Sequence, residues 1–298
     1  MQEFVVLQSE KVKVPLFGLG TSHAGGYSHD AVVHALRECD YHLIDTARRY
    51  GNEEKLRVAL QESGVPREEV FLTTKLWPTD YGFQSTRRAC IAAMNRLGVD
   101  YLDMYLMHWP ECLSSVDDPS RVREDTWRAL ESLRDDGLVR VVGVSNFLEH
   151  HLEEMLDYAS HPPSINQIEF HPYQNPIKLR KFCKEHGIQI MGFCPLAKGK
   201  ILNDPVLREI ASRVGKSPAQ VSIRWSLQQG VITIPKSVRK ERILENSQVW
   251  DWELNEKDMD ALNGLDRDYH AVNRSVIQAK IDTALPDGYK LNTKLNMG

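Results

Sequence analysis

The chain has 298 residues, 42% hydrophobic and 26% charged, which excludes a disordered or collagen-like protein and allows a sizeable core. Its formal charge of −4 comes without a dense basic run, the nearest being the short stretch Lys236 to Arg242, and this argues against a nucleic-acid partner. The five cysteines (Cys39, Cys90, Cys112, Cys183, Cys194) have no C-x-x-C spacing and read as free thiols of a reducing compartment.

The start, MQEFVVLQSEKVKV, lacks the basic-then-apolar pattern of a secretory leader, and no apolar run approaches the ~18 residues of a membrane helix. A cytoplasmic monomer with no membrane partner is the expectation. FVVLQSEKVKV (4–14) reads as a hairpin turning near Ser9-Glu10, placed to plug the bottom of a barrel. Eight β-like runs follow: VPLFGLGT (14–21), YHLIDTA (41–47), VFLTTKLW (70–77), YLDMYLMH (101–108), LVRVVGVS (138–145), SINQIEF (164–170), IQIMGFC (188–194) and VITIPKS (231–237). Several are almost continuously apolar, as expected of parallel strands buried on both faces.

Between them lie segments with apolar residues at three- and four-residue steps, such as HDAVVHALREC, NEEKLRVALQES, STRRACIAAMNRLG, TWRALESLRDDG and EHHLEEMLDYA. Gly137 supplies a helix stop, and Ser217-Pro218 a helix start with Ser at the N-cap and Pro at the first helical position. Strand then helix, eight times over, predicts one (β/α)8 TIM barrel spanning 1–298, with a doubly wound open sheet as the alternative. The tail, about 266–298, has weak patterning that marks it as potentially mobile.

Active sites of such barrels lie at the C-terminal ends of the strands. Those positions hold Asp45 and, five residues on, Tyr50; Lys75 and Trp77; His108 and Trp109; Ser145 and Asn146; Gln167 and Glu169; Phe193; and Lys236 with Ser237. Each has an ordinary structural explanation alone, Asp45 as a helix cap or His108 as a satisfied core histidine. Their convergence on one rim suggests acid catalysis of carbonyl reduction. Alkoxide charge building on oxygen must be met by a proton. Tyr50 is the candidate donor, a phenol of ordinary pKa ≈ 10 that a nearby Lys75 ammonium is expected to lower. Asp45 would hold Lys75 charged, and His108 would orient the substrate oxygen.

Six motifs in order, IDTARRYGNE (44–53), TTKLW (73–77), MHWP (107–110), GVSNF (143–147), NQIEFHPY (166–173) and IPKS (234–237), resemble those of the aldo-keto reductases, a likeness running from GLGT (18–21) to ENSQVW (245–250). The resemblance implies NADPH/NADP-dependent reduction without metal or flavin, with Asp45, Tyr50, Lys75 and His108 as the catalytic tetrad. It also implies that Ser145, Asn146 and Gln167 bind the nicotinamide carboxamide and that Phe193 stacks on the ring. Thr21, Cys194 and Leu196 fall among the cofactor contacts. Lys236, Ser237 and Arg242 match a clamp on the adenosine 2′-phosphate, and Glu245 and Asn246 match adenine contacts. Lys and Arg are both apt partners of a phosphate.

Ser22, His23, Trp77 and Trp109 are expected to form an apolar substrate wall suited to small carbonyl compounds. The short segments after Glu111 and after Leu265 point to an open pocket. Gly18-x-Gly20 is not a dinucleotide fingerprint, because His23 stands where the third glycine belongs. His150-His151 with Glu153-Glu154 lacks metal-ligand spacing and reads as a solvated helix face. A non-catalytic NADPH-binding barrel is the second functional reading, and a metal-dependent hydrolase or an isomerase on the same barrel the third.

Overall fold

The computed structural model describes residues 3–7, 9–22 and 25–284. His23 and the end of the tail from residue 285 lie outside the described residues. A hairpin, β1 (Phe4–Leu7) and β2 (Val12–Pro15), precedes the barrel strands β3 (Leu19–Gly20), β4 (Leu43–Asp45), β5 (Phe71–Leu76), β6 (Leu102–Met107), β7 (Val139–Ser145), β8 (Ile165–Glu169), β9 (Gln189–Phe193) and β10 (Ile232–Ile234). The helices between them are α1 (His29–Glu38), α2 (Glu53–Ser63), α3 (Phe83–Leu97), α4 (Pro119–Asp135), α5 (Glu149–Tyr158), α6 (Ile177–Glu185), α7 (Pro205–Val214) and α8 (Pro218–Gln228). After β10 come α9 (Lys240–Ser247), α10 (Glu256–Asn263) and α11 (Ile277–Asp282).

Strands β3 to β10 form one eight-stranded sheet in sequence order, every neighbour parallel. The ring is closed by backbone bonds across its seam: Gly18 N to Thr233 O at 3.0 Å, Thr233 N to Leu16 O at 2.8 Å, and Gly20 N to Pro235 O at 3.1 Å. Closure rules out the open doubly wound sheet. The strands read as continuous apolar runs because both faces are covered, and every residue of β5 and β6 is buried. Inside, Leu43, Phe71, Met104, Leu106, Val141, Ile165, Met191, Ile232 and Ile234 pack on one another.

The hairpin does plug the barrel: its Leu7 and Val14 join that inner cluster. The first predicted strand is shorter than expected, however, since Val14 and Pro15 pair with β1 instead. Proline has no N–H to continue a ladder. Beyond it the chain presses onto β4 so closely that a Cβ at Gly18 would lie 2.3 Å from Leu43 Cδ2. Helix boundaries follow their chemistry. Ser217 and Gln220 make a reciprocal capping box with Pro218 in the first turn, and Gly137 turns past α4 at φ 74°.

At the barrel bottom the buried Asp103 carboxylate accepts the Leu72 N–H at 2.9 Å and pairs with Arg67 at 2.7 Å and Arg140 at 2.6 Å. One side chain thereby ties β5, β6 and β7 at the end away from the rim. Asp103→Ala strands the buried Leu72 N–H and removes the carboxylate of both ion pairs, whose arginines keep contact with solvent, so it should cost about 2–3 kcal/mol. Urea unfolding would show this as a lower midpoint at unchanged slope.

Candidate active site

Asp45 ends β4, Lys75 stands one residue before the end of β5, and His108 directly follows β6, so three neighbouring strands deliver them to the same rim. Tyr50 arrives on the short turn Arg48–Tyr50 that leaves β4. Lys75 Nζ donates to both Asp45 carboxylate oxygens at 2.7 Å and to Thr46 O at 3.0 Å. The Tyr50 hydroxyl lies 3.5 Å from the same nitrogen. Gln167 Nε2 adds a bond to Asp45 Oδ2 at 2.8 Å, and Thr21 binds Asp45 O through both its N–H and its hydroxyl at 2.9 Å.

The electrostatics differ from the expectation in one respect. Tyr50 is not pulled down by Lys75; its pKa is raised well above the ordinary phenol value, first by burial, then by Asp45 and Cys194. The lysine's charge is already engaged by Asp45, its nearer partner, and burial lowers the Lys75 pKa despite that carboxylate. His108 sits among rings: edge-on to Tyr50 at 5.8 Å and to Trp77 at 5.3 Å, and stacked on Trp109 at 6.3 Å between centroids.

Beside the tetrad lies a polar shelf. Asn146 holds a left-handed backbone at φ 65°, and its Nδ2 donates to His108 O at 2.9 Å and Ser145 Oγ at 3.1 Å. Ser145 Oγ donates to Gln167 O at 2.9 Å. Phe193, Cys194 and Leu196 cluster after β9, all half-buried, with Cys194 at φ 52° and its thiol pushed up to about 12 by burial. Lys236 and Ser237 follow β10, half-buried, and burial lowers the Lys236 pKa. On α9, Arg242 is exposed, Glu245 half-buried and Asn246 buried. These eight share the barrel's β9–β10 sector, Cys194 being near enough to Tyr50 to contribute to its raised pKa.

This arrangement suits a dinucleotide. Amide and hydroxyl groups of Ser145, Asn146 and Gln167 lie together beside the reacting centre. Phe193 is half-buried at the end of β9, and Lys236 and Arg242 lie beyond the neighbouring strand β10.

The expected substrate wall is more covered than the short loops suggested. Trp77 and Trp109, each 4% exposed, pack against Ile277 and Ile281 of α11, which roofs them. The buried Glu169 carboxylate fastens the approach to α11, accepting Ala271 N at 2.6 Å, Val272 N at 3.1 Å and the His171 ring at 3.0 Å. Arg274 bonds Asn146 O at 3.2 Å and Glu111 at 3.3 Å, and Asp282 accepts Ser114 N at 2.8 Å. Sequence reasoning placed Glu169 at a strand end without a role and missed Arg274, Ile277 and Ile281, because α11 is too short to show periodicity. It also missed Asn52, which accepts from Thr46 Oγ1 at 2.8 Å and donates to Thr21 O at 2.7 Å.

Comparison with known proteins follows the same lines. The model of the Aldo/keto reductase family matches residues 17–267. An oxidoreductase of uncharacterised activity from Caenorhabditis elegans is 47% identical, covering 96% of this chain and 89% of its own length. Glyoxal reductase of Bacillus subtilis is 45% identical, covering 86% of this chain and 91% of its own. Among solved structures, a Bombyx mori aldo-keto reductase in complex with NADP superposes with a TM-score of 0.86 at 29% identity, covering 92% of this chain and 96% of its own.

The buried ion pair has a measurable consequence. Lys75→Met leaves the Asp45 carboxylate buried without its cation and should destabilise the fold by about 3–5 kcal/mol, whereas adding Asp45→Asn should recover a large part of that loss. A denaturation double-mutant cycle checks it, and additive losses would refute the coupling.

Proposed function

The chain belongs to the aldo/keto reductase family, and from that premise we propose that it reduces small aldehydes, ketones or dicarbonyls to alcohols with NADPH, Tyr50 acting as general acid. The observation that carries this reading is the Tyr50 hydroxyl 3.5 Å from a Lys75 ammonium that is itself anchored on Asp45. The resemblance of this chain to glyoxal reductase supports a dicarbonyl among the substrates, and the NADP complex of the Bombyx mori relative supports the cofactor. The unpaired cysteines suit a reducing compartment such as the cytoplasm.

Ser145, Asn146 and Gln167 are the residues to hold the carboxamide, Phe193 the nicotinamide face, and Lys236, Ser237 and Arg242 the 2′-phosphate. Bound there, NADPH supplies the hydride that reaches the carbonyl carbon. The chain's own part is proton delivery and charge stabilisation. The Tyr50 hydroxyl donates its proton to the carbonyl oxygen as that oxygen gains negative charge, and solvent later restores it. The phenolate left behind lies beside Lys75, whose ammonium stabilises it. His108, held between Trp77 and Trp109, positions the oxygen, while the apolar roof keeps water from competing.

The raised Tyr50 pKa fixes the sign of the pH response. An acid must carry its proton to work, and a higher pKa extends the protonated range upward. The kcat/KM for reduction should therefore hold flat through neutral pH and decline only on the alkaline side, as a pH-rate profile would report. Tyr50→Phe should lower kcat by about 10²-fold or more while NADPH still binds by fluorescence titration. A fully active Tyr50→Phe protein would remove Tyr50 from the proton-donor role.

A further inference from the structure

Arg48 and Arg49 immediately precede Tyr50 in the sequence, and the reduction described above uses neither. Arg49 is exposed, and its guanidinium carbon lies 5.6 Å from the Trp77 ring centroid. Trp77 in turn meets His108 edge-on at 5.3 Å. A single indole thus separates the Arg49 cation from the imidazole that positions the carbonyl. Arg274 stands over Trp109 at 5.2 Å, but its donors are engaged by Asn146 O and Glu111. Arg49 has no ion pair among the described residues; its contact is the indole face.

An exposed arginine without a carboxylate partner is common, and exposure alone decides nothing. Three features set this one apart. It is adjacent in sequence to the proton donor. The aromatic face holds the guanidinium by cation–π attraction without consuming its N–H edge, so a bidentate carboxylate contact stays available at reduced entropic cost. The Trp77 indole N–H beneath it is buried and finds no acceptor among the described residues, a donor that an oxygen-rich substrate would satisfy. The acids around the mouth do not compete: Asp45 is held by Lys75, Glu111 by Arg274, and Glu169 by the Ala271 and Val272 N–H groups.

We propose that Arg49, seated on Trp77, anchors a carboxylate carried by the substrate, so that the preferred substrates are carbonyl compounds bearing an acid group, with neutral carbonyls of the same size reduced less well. The inference rests on the reductase reading. A chain of net charge −4 repels anions on average, so a guanidinium at the mouth supplies attraction where the substrate enters.

The test compares succinic semialdehyde with its methyl ester, the same aldehyde with the charge removed, at saturating NADPH. Wild-type kcat/KM should favour the acid. The acid-to-ester ratio should fall about five-fold in Arg49→Met, recover in part in Arg49→Lys, and drop below the Arg49→Met value in Arg49→Glu. Rising ionic strength should erode the ratio in the wild type and leave it unmoved in Arg49→Met, a response that a packing role would not produce. A wild-type ratio at or below one, or a ratio indifferent to Arg49→Met and Arg49→Glu, overturns the anion anchor while the reductase stands. Absence of turnover by the wild type on either aldehyde and on neutral dicarbonyls overturns the reductase reading and this proposal with it.

Discussion

A lysine and an aspartate buried together in a barrel of apolar strands set the terms for everything around them. Their mutual attraction does not by itself repay the cost of leaving water; the geometry must be good and the remaining donors and acceptors must be filled. Here Lys75 divides its protons between Asp45 and Thr46 O, and Asp45 takes a further bond from Gln167. The pair therefore binds β4, β5 and β8 across the barrel interior. Tyr50 owes its place to the same arrangement, since the turn that carries it leaves directly from Asp45. Displacing the pair would displace the phenol.

The outward face of β5 repeats the device. Thr74, adjacent to Lys75 and so pointing to the other side of the sheet, donates to Glu53 at 2.7 Å, and Glu53 accepts Arg96 at 2.6 Å. Asn52 meanwhile joins Thr46 to Thr21. Much of IDTARRYGNE is thus explained by anchoring: Asp45 inward, Glu53 outward to α3, and Asn52 across to the end of β3. Four of the seven non-glycine residues with positive φ among the described residues lie near this rim. Asn146, Cys194, Ala197 and Lys198 all have positive φ just beyond β7 or β9. Such conformations cost about 1–3 kcal/mol each and persist only where the surroundings over-determine them. The opposite end of the barrel carries the Asp103 clamp and the hairpin plug.

Sequence patterning recovered the strands because parallel strands buried on both faces leave continuous apolar runs, and the strand ends then pointed to the rim. Asp45, Lys75, His108, Ser145 and Gln167 were legible in that way, each a polar residue interrupting an apolar run. What could not be read was the environment of those groups. The Tyr50 pKa depends on how closely protein packs around the phenol and on Asp45 taking the larger share of Lys75, and neither quantity is written in residue spacing. The roof was hidden for a different reason. A six-residue helix is too short to show a face, and the contacts that secure it come from residues far away in sequence: Glu169, Ser114 and Asn146.

That roof also joins two parts of the candidate site. Ile277 and Ile281 cover the tryptophans on the substrate side, while Arg274, three residues before Ile277, bonds the backbone of Asn146 on the polar shelf. Asn146 in turn donates to His108 O. One short segment therefore contacts the two tryptophans, the residue that braces the shelf and, through it, the strand end that carries the imidazole. Its own hold on the barrel combines the buried Ile277 and Ile281, packed on Trp77 and Trp109, with bonds to Glu169, Ser114, Glu111 and Asn146. Covering Trp77 and Trp109 and bracing the shelf thus fall to the same short segment.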